Sequence, residues 1–466
     1  MLFRQIFDPK LAQYAYLIGC QRTKEAVLID PERDIDRYLA IAAAEGVRIT
    51  AVTETHIHAD FLSGSREFAE TGVRAYLSDE GDADWKYGWL EAGDYDTVLL
   101  RDGDTFAVGN IEIKALHTPG HTPEHLSFLV VDHGGGAAEP MGIASGDFVF
   151  VGSLGRPDLL ETAAGVAGAM EPSARRLFHS LDTFLALPDF LQVWPAHGAG
   201  SACGKSLGAV PMSTVGYERR FNASIGVAGS GEEAFVSSIL DGQPEPPAYF
   251  ARMKRLNRDG VPVLGEASRP ERIEAAALVE RAWQGEVLIV DGRLDRQSFM
   301  SGHIAGSLYA PFNKTFSTIV GSYAAPTDEI VLVLDEDRVE EAVRDLIRIG
   351  YDRIVGFVPP AEVESLDSLV ATPIVDFARV DAVRGSPGYR VLDVRGAAEY
   401  ASRQIPGAIN VAHTRLVPRL DEIPTDDVLL VHCKTGARAA AAAAALERAG
   451  RQVEYVDDSF VNWRAG

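Results

Sequence analysis

The sequence predicts an α/β protein of several domains, and three observations carry that prediction. At roughly 150 residues per domain, a chain of 466 residues favours about three domains. Short β-branched or aromatic runs alternate with helix-period segments as far as residue 200. From residue 266 onward one unit occurs twice. Hydrophobic residues make up 46% and charged residues 24%, the balance of a packed chain rather than a disordered one. The 44 Lys+Arg against 67 Asp+Glu leave a formal charge of −23. So acidic a chain lacks the clustered basic surface that phosphate-backbone binding needs, so no nucleic-acid partner is expected.

Nothing approaches the roughly 18–20 consecutive apolar residues of a bilayer span, so no membrane partner is expected. The start, MLFRQIFDPK, lacks the basic, apolar and small-residue regions of a signal peptide. Cys20, Cys203 and Cys433 lie far apart and are odd in number, which excludes a disulfide framework and suits a reducing compartment. The expected location is the cytoplasm.

In order along the chain, residues 14–19 and 25–30 read as a hairpin. A helix follows with Ile35, Leu39 and Ala43 on one face, stopped by Gly46, and residues 47–53 form the next strand. QPEPP at 243–247 breaks regular structure, and the Gly/Pro/Ser-rich 259–269 is a linker. The first copy of the repeat carries VLIVDGR (287–293) and HIAGS (303–307); the second carries VLDVR (391–395) and QIPGA (404–408). Each continues with a buried-type strand (330–334, 428–432), a helix ending at Gly350 or Gly450, and a last short strand. Two copies at this period make a repeated domain, not a solenoid. Pro359, Pro360 and Pro373 bracket the link between them.

Residues 53–61, TETHIHADF, follow a strand, so His56, His58 and Asp60 sit on a strand-to-helix turn where alternate side chains can converge. TPGHT (118–122), SGDF (145–148) and PAHG (195–198) repeat the form: a strand ends, a small residue opens the turn, and His121, Asp147 or His197 projects. Any one of these alone reads as a hydrogen-bonded loop residue. The ordered set is what a borderline metal ion requires. His117, His125, His133 and His179 lack that context and are assigned structural roles.

On these motifs, residues 1–260 resemble the metallo-β-lactamase fold, an αββα sandwich with metal-bearing loops at its strand ends. That superfamily's motif usually continues Asp-His, but here the next residue is Phe61, which cannot ligate a second metal. ETHIHADF (54–61) and GRPD (155–158) are similar to persulfide dioxygenases. That resemblance implies one Fe(II) per chain held by His56, His121 and Asp147, with His58, Asp60 and His197 around the ligands. Zinc is the alternative. Such a triad leaves positions for a substrate sulfur and O₂ together. Arg156 and Lys205 are candidate contacts for an acidic thiol. Cys203, in a glycine-flanked loop six residues past His197, reads equally as a persulfide acceptor or gate and as a small loop residue. Cys20, at a strand end, reads as packed.

Residues 428–438, VLLVHCKTGAR, place Cys433 between a strand and an alanine-rich helix. Backbone amides, the helix dipole, Lys434 and Arg438 all favour a thiolate there, so a lowered pKa and nucleophilic character are expected. A cysteine and an arginine in one loop after a strand also suit phosphatases. With DVR (393–395) and IPGA (405–408), the loop instead resembles rhodanese sulfurtransferases, in which the cysteine carries a persulfide. In the first copy Asp335 stands where Cys433 does, and a carboxylate cannot carry sulfane sulfur.

The whole chain is thus similar to persulfide dioxygenase–rhodanese fusion proteins of bacterial sulfide detoxification: a metallo-β-lactamase-like domain (1–260), a rhodanese-like domain without its cysteine (266–362) and an active rhodanese domain (370–466). The resemblance implies oxidation of a low-molecular-weight thiol persulfide by O₂ to sulfite. Cys433, with Arg438 and Lys434, would then pass sulfane sulfur to sulfite to give thiosulfate. It also implies a homo-oligomer. Two other readings stay open: a glyoxalase II-like thioester hydrolase with two metals fused to a sulfurtransferase, and a non-catalytic sulfur carrier or sensor.

Overall fold

The computed structural model describes residues 1–163 and 165–463. The last three residues of the C-terminal copy therefore lie outside the described residues. The chain divides into two compact units, one of residues 1–246 with 250–266, the other of 247–249 with 267–466.

The first unit holds two six-stranded sheets. In the first sheet, β1 (Leu2–Asp8), β2 (Gln13–Cys20), β3 (Glu25–Ile29), β4 (Arg48–Thr53), β5 (Arg74–Ser78) and β6 (Thr97–Leu100) lie side by side in chain order. β1, β2 and β3 pair antiparallel, which includes the expected hairpin, whereas β3 to β6 run parallel. The first strand was not expected from the sequence. Its seven residues are only partly buried and alternate weakly, so pairing with β2 decides it. The second sheet takes β7 (Thr105–Val108), β8 (Ile111–His117), β9 (Leu126–Asp132) and β10 (Gly142–Gly146). After a two-stranded excursion, β11 (Val149–Phe150) with β12 (Ser153–Leu154), it adds β13 (Gln192–Pro195) and β14 (Ser213–Thr214), in the order β14-β13-β10-β9-β8-β7.

Between the sheets lies one apolar layer that includes Tyr16, Ile18, Val27, Ile29, Ile113, Phe128 and Trp194. Every residue of β2 is buried, because helices cover the outer face of its sheet as well. Leu177, Leu181 and Phe184 of the helix Met170–Leu185 pack on the outside of the second sheet. The result is the four-layer αββα arrangement.

The helix Asp36–Ala44 forms where expected but turns differently: it buries Tyr38 and Ala42, whereas Leu39 is 45% exposed. Tyr38 wins the inner face because its hydroxyl accepts the Glu32 amide at 2.9 Å while its ring fills the core.

The second unit holds two parallel sheets of five strands. The first consists of β15 (Glu271–Arg272), β16 (Leu288–Asp291), β17 (Leu308–Tyr309), β18 (Ile330–Val333) and β19 (Ile354–Val358), ordered β15-β19-β18-β16-β17. The second consists of β20 (Ile374–Val375), β21 (Tyr389–Asp393), β22 (Ile409–Asn410), β23 (Val428–His432) and β24 (Val453–Val456), ordered β20-β24-β23-β21-β22. Position for position the two orders are the same, so the sequence repeat is a repeat of topology. Among the described residues, no helix is long and apolar enough to cross a membrane.

Candidate metal centre and cysteine loop

The TETHIHADF segment leaves β4 and is held by partners far away in sequence. Asp30, just past β3, accepts the Thr55 amide at 2.6 Å and the Thr55 hydroxyl at 2.9 Å. Glu124 accepts the Ile57 amide at 2.7 Å. Asn257 donates to the carbonyls of His58 and Phe61, both at 2.8 Å, and accepts the Ser63 amide at 2.9 Å. Asp147 is aimed by a β-bulge between Ala144 and Gly146 in the pairing of β10 with β13. Gly146 has φ +55°, and a side chain there would meet His125 Nε2 at 2.5 Å.

These contacts bring His56, His121 and Asp147 together, with one ligand atom from each lying within 4.8 Å of the others. The histidine tautomers follow from their outer partners. The Thr55 hydroxyl spends its proton on Asp30, so it accepts from His56 Nδ1 at 2.9 Å and leaves Nε2 with a free lone pair. His121 Nδ1 donates to the Arg156 carbonyl at 2.9 Å, and its Nε2 faces Asp147 Oδ2 at 3.3 Å. Burial, together with the surrounding histidines, holds the pKa of His56 well below the usual range; burial also lowers that of His121. Neutral imidazoles thus face a carboxylate whose two oxygens are buried without a hydrogen-bond partner. Acceptor facing acceptor in a buried site is costly unless a cation sits between them, so the donor set fits a metal ion.

A second cluster adjoins the first: Asp60, His197 and Cys203, all buried, with ligand atoms again within 4.8 Å of one another. His197 Nδ1 donates to the Ala12 carbonyl at 3.2 Å, and its Nε2 lies 3.3 Å from Asp60 and 3.5 Å from Asp147. Burial pushes the Cys203 thiol well above its ordinary pKa, and Asp60 and Asp147 add to the effect. His58 belongs to neither cluster. Burial opposes its charge, but Asp30 at 3.2 Å prevails and raises its pKa to about 9. Phe61 is fully buried and packs on the His58 ring, with centroids 4.2 Å apart.

Two expected substrate contacts are placed otherwise. Arg156 is only 1% exposed and is bound to Asp158 at 2.6 and 2.8 Å and to the Ala202 carbonyl at 3.0 Å, so its guanidinium braces the loops instead of facing a thiol. Lys205 Nζ donates to the carbonyls of Ser238 (2.7 Å) and Asp241, at the end of the helix Glu232–Leu240. Other residues with a part in the site escaped the sequence reading. His125, assigned a structural role, accepts the Asp147 amide at Nε2 (3.1 Å) and is fixed at Nδ1 by the Thr118 hydroxyl (2.8 Å). Asp30 carried a signal of the same kind as Asp147, an acid directly after a strand. Asn257 carried none.

In the second unit, β23 ends at His432 and the helix Ala437–Arg448 begins five residues later, after Gly436 at φ +88°. Cys433 sits in that loop, 1% exposed. The Arg438 guanidinium donates to both carboxylate oxygens of Glu399, at 2.6 and 2.9 Å. Lys434 is exposed.

Residues 8–197 match the Metallo-beta-lactamase superfamily and residues 377–466 match the Rhodanese-like domain family. A metallo-beta-lactamase from Staphylococcus aureus of known structure is 40% identical, superposes with a TM-score of 0.68, and is matched over 77% of this chain and 98% of its own. The mitochondrial persulfide dioxygenase ETHE1 of Bos taurus is 29% identical over 228 residues, 48% of this chain and 75% of that protein. A hydroxyacylglutathione hydrolase of Gloeobacter violaceus is 29% identical over 188 residues, 40% of this chain and 63% of that protein. With its αββα unit, its strand-end donor clusters and a rhodanese-like domain at residues 377–466, the chain belongs to the metallo-beta-lactamase superfamily, as a fusion.

Proposed function

We propose that this protein oxidises a low-molecular-weight thiol persulfide to sulfite and that Cys433 then moves sulfane sulfur, giving thiosulfate. The observation that carries the first half is the buried Asp147 carboxylate, both oxygens unpartnered, facing the Nε2 lone pair of His121. His56, His121 and Asp147 would hold one Fe(II), the metal whose two-histidine, one-carboxylate sites serve oxygenases. Bound there, iron supplies the one-electron and O₂ chemistry that no side chain offers. The net reaction is RSSH + O₂ + H₂O → RSH + SO₃²⁻ + 2H⁺. The protein's own part is to keep the imidazoles neutral and oriented through Thr55 and the Arg156 carbonyl, and to bury the reacting sulfur away from solvent. The likeness to persulfide dioxygenases of animals supports this reading over others.

In the second half, the Cys433 thiolate attacks the outer sulfur of RSS⁻. The S–S bond to the thiol breaks, RS⁻ leaves with the electron pair, and Cys433 carries a persulfide. Sulfite then attacks that outer sulfur, releasing thiosulfate and restoring the thiolate, with no external oxidant or reductant. Fusion keeps the product of one half close to the acceptor of the other. The test is O₂ uptake with glutathione persulfide, using protein purified without oxygen. The expected result is about one iron per chain in the wild type, with both iron and O₂ uptake lost in His56→Ala and Asp147→Ala. Wild-type uptake in either variant overturns the dioxygenase half.

One observation favours a second reading. The Asp60–His197–Cys203 cluster offers donors for another ion despite Phe61, as a thioester hydrolase would need. Two zinc ions per chain with hydrolysis of a glutathione thioester would establish it.

A further inference from the structure

Residues 433–436 join β23 to the helix Ala437–Arg448, and three of their carbonyls are held. The Phe460 amide donates to the Lys434 carbonyl at 2.9 Å, and the Tyr455 hydroxyl lies 3.2 Å from the Gly436 carbonyl. Both of those donors belong to the second copy. The donor to the middle carbonyl, that of Thr435, is the Arg296 guanidinium, which reaches it at 3.2 Å from the helix Arg296–Ser301 of the first copy.

A trans peptide sets the C=O of one residue opposite the N–H of the next. Fixing these three carbonyls therefore fixes the amides of Thr435, Gly436 and Ala437 on the other side. Among the described residues none of those three amides has a protein acceptor, so they are available to an anion in the loop.

The same arginine meets a second need. Asp457 follows β24 with its side chain nearly buried, and a Cβ on Gly436 would stand 2.5 Å from its Oδ1. A carboxylate this close to the loop opposes negative charge on the sulfur of Cys433. Arg296 pairs with it at 2.8 Å, and Gln297, also of the first copy, donates to its other oxygen at 2.9 Å.

We propose that Arg296 of the cysteine-less copy is a positioning residue for sulfur transfer: it sets the Thr435 peptide of the Cys433 loop and neutralises Asp457 beside it. The first copy, barred from the chemistry by Asp335, thereby serves the loop of the second. The proposal rests on Cys433 carrying sulfane sulfur, and the test separates the two ideas.

In the full chain, Arg296→Met removes the charge and the donors and keeps the length of the side chain. Arg448→Met is the control: at the far end of the helix Ala437–Arg448 it cuts another link between the copies, the bond from Arg448 to the Gly306 carbonyl at 3.1 Å. Two readouts are compared with the wild type. One is the pH midpoint for iodoacetamide alkylation of Cys433, followed on its peptide by mass spectrometry. The other is the single-turnover rate of Cys433 persulfidation by glutathione persulfide. The other charged groups about the loop, Lys434 and the Arg438–Glu399 pair, are the same in both variants. Arg296→Met should raise the midpoint by about one pH unit and slow transfer about tenfold. Arg448→Met should match the wild type in both readouts, and O₂ uptake should be unchanged throughout. An unchanged midpoint in Arg296→Met, or an equal shift in Arg448→Met, overturns the proposal. If Arg296→Met fails to fold, Arg296→Lys, which keeps the charge beside Asp457 but has one nitrogen in place of the fork, is read in its place. A wild-type protein that never acquires sulfur at Cys433 overturns the transfer reading instead, while the midpoint still decides the role of Arg296.

Discussion

The two copies of the repeated unit share a frame and differ in one loop. In each, an aspartate at the end of the second strand grips the arginine two residues on: Asp291 holds Arg293 at 2.8–3.1 Å, and Asp393 holds Arg395 at 2.5–3.1 Å. Each arginine also donates to a carbonyl, that of Gly302 or Arg403, at 2.9 or 2.7 Å. The copies part after the fourth strand. In the first, only residues 334 and 335 separate β18 from the next helix, and Asp335 is the residue just before that helix. In the second, residues 433–436 intervene, and Gly436 takes a left-handed conformation just before the helix. The copy without cysteine keeps a cavity of about 320 Å³ lined by Arg293, Asp335 and Arg338. The arginine brace is common to both copies; the two extra loop residues occur only in the copy that carries Cys433.

The helices after those loops differ for a related reason. Glu336–Ile347 buries one stripe, Val339, Ala342, Val343, Leu346 and Ile347, and leaves charged residues outside. Ala437–Arg448 buries every residue from Ala439 to Leu446. It packs not only on its own sheet but also against β17 and the helix Arg296–Ser301 of the first copy. A helix covered all round cannot keep a polar face, and alanine allows the close approach.

The largest effect should come from exchanging the residues at the heart of the comparison. Cys433→Ser should lower thiosulfate formation from persulfide and sulfite by at least about 10³-fold while O₂ uptake continues. Adding Asp335→Cys to that variant should restore none of it, because the first loop is two residues short. Recovery of thiosulfate formation would mean the loop difference is unimportant. Next in size, Asp291→Asn and Asp393→Asn each take from a buried arginine the carboxylate that grips it most closely, leaving Arg293 with Glu364 at 3.4 Å. Each should destabilise its own copy by about 3 kcal/mol, measured by hydrogen exchange of the neighbouring strands. No loss in either variant would break the claim of a shared frame. Smallest, Gly436→Ala forces a side chain onto a positive φ and within 2.5 Å of Asp457 and 2.8 Å of Tyr455. A cost of about 1–3 kcal/mol in the second copy is expected from urea unfolding.

Much of this was legible beforehand because it is local. The repeat showed in DGR and DVR, where an acid and an arginine two residues apart at a strand end brace each other. The donors His56, His121, Asp147 and His197 each follow a strand, and a strand end is visible as a change of periodicity. The face of the helix Asp36–Ala44 was misjudged because two apolar stripes compete, and only the core shows that Tyr38 fits. Arg156 and Lys205 were read as candidate thiol contacts because burial and carbonyl partners leave no mark in sequence. Cys203 and Asp60 could not be paired with His197 for the same reason: their proximity arises from loops folding together, not from spacing.

The sequence alone determined the alternation of elements, the doubled unit, the place of each donor on its loop and the missing cysteine at Asp335. Local propensity and short-range chemistry suffice for these. Only the tertiary structure decided that Asn257 locks the His58 loop from nearly 200 residues away, that His125 holds the Asp147 amide, and that Arg296 of one copy reaches the Thr435 carbonyl of the other. Such contacts depend on which surfaces are buried against each other, and no periodicity in the chain encodes that partner.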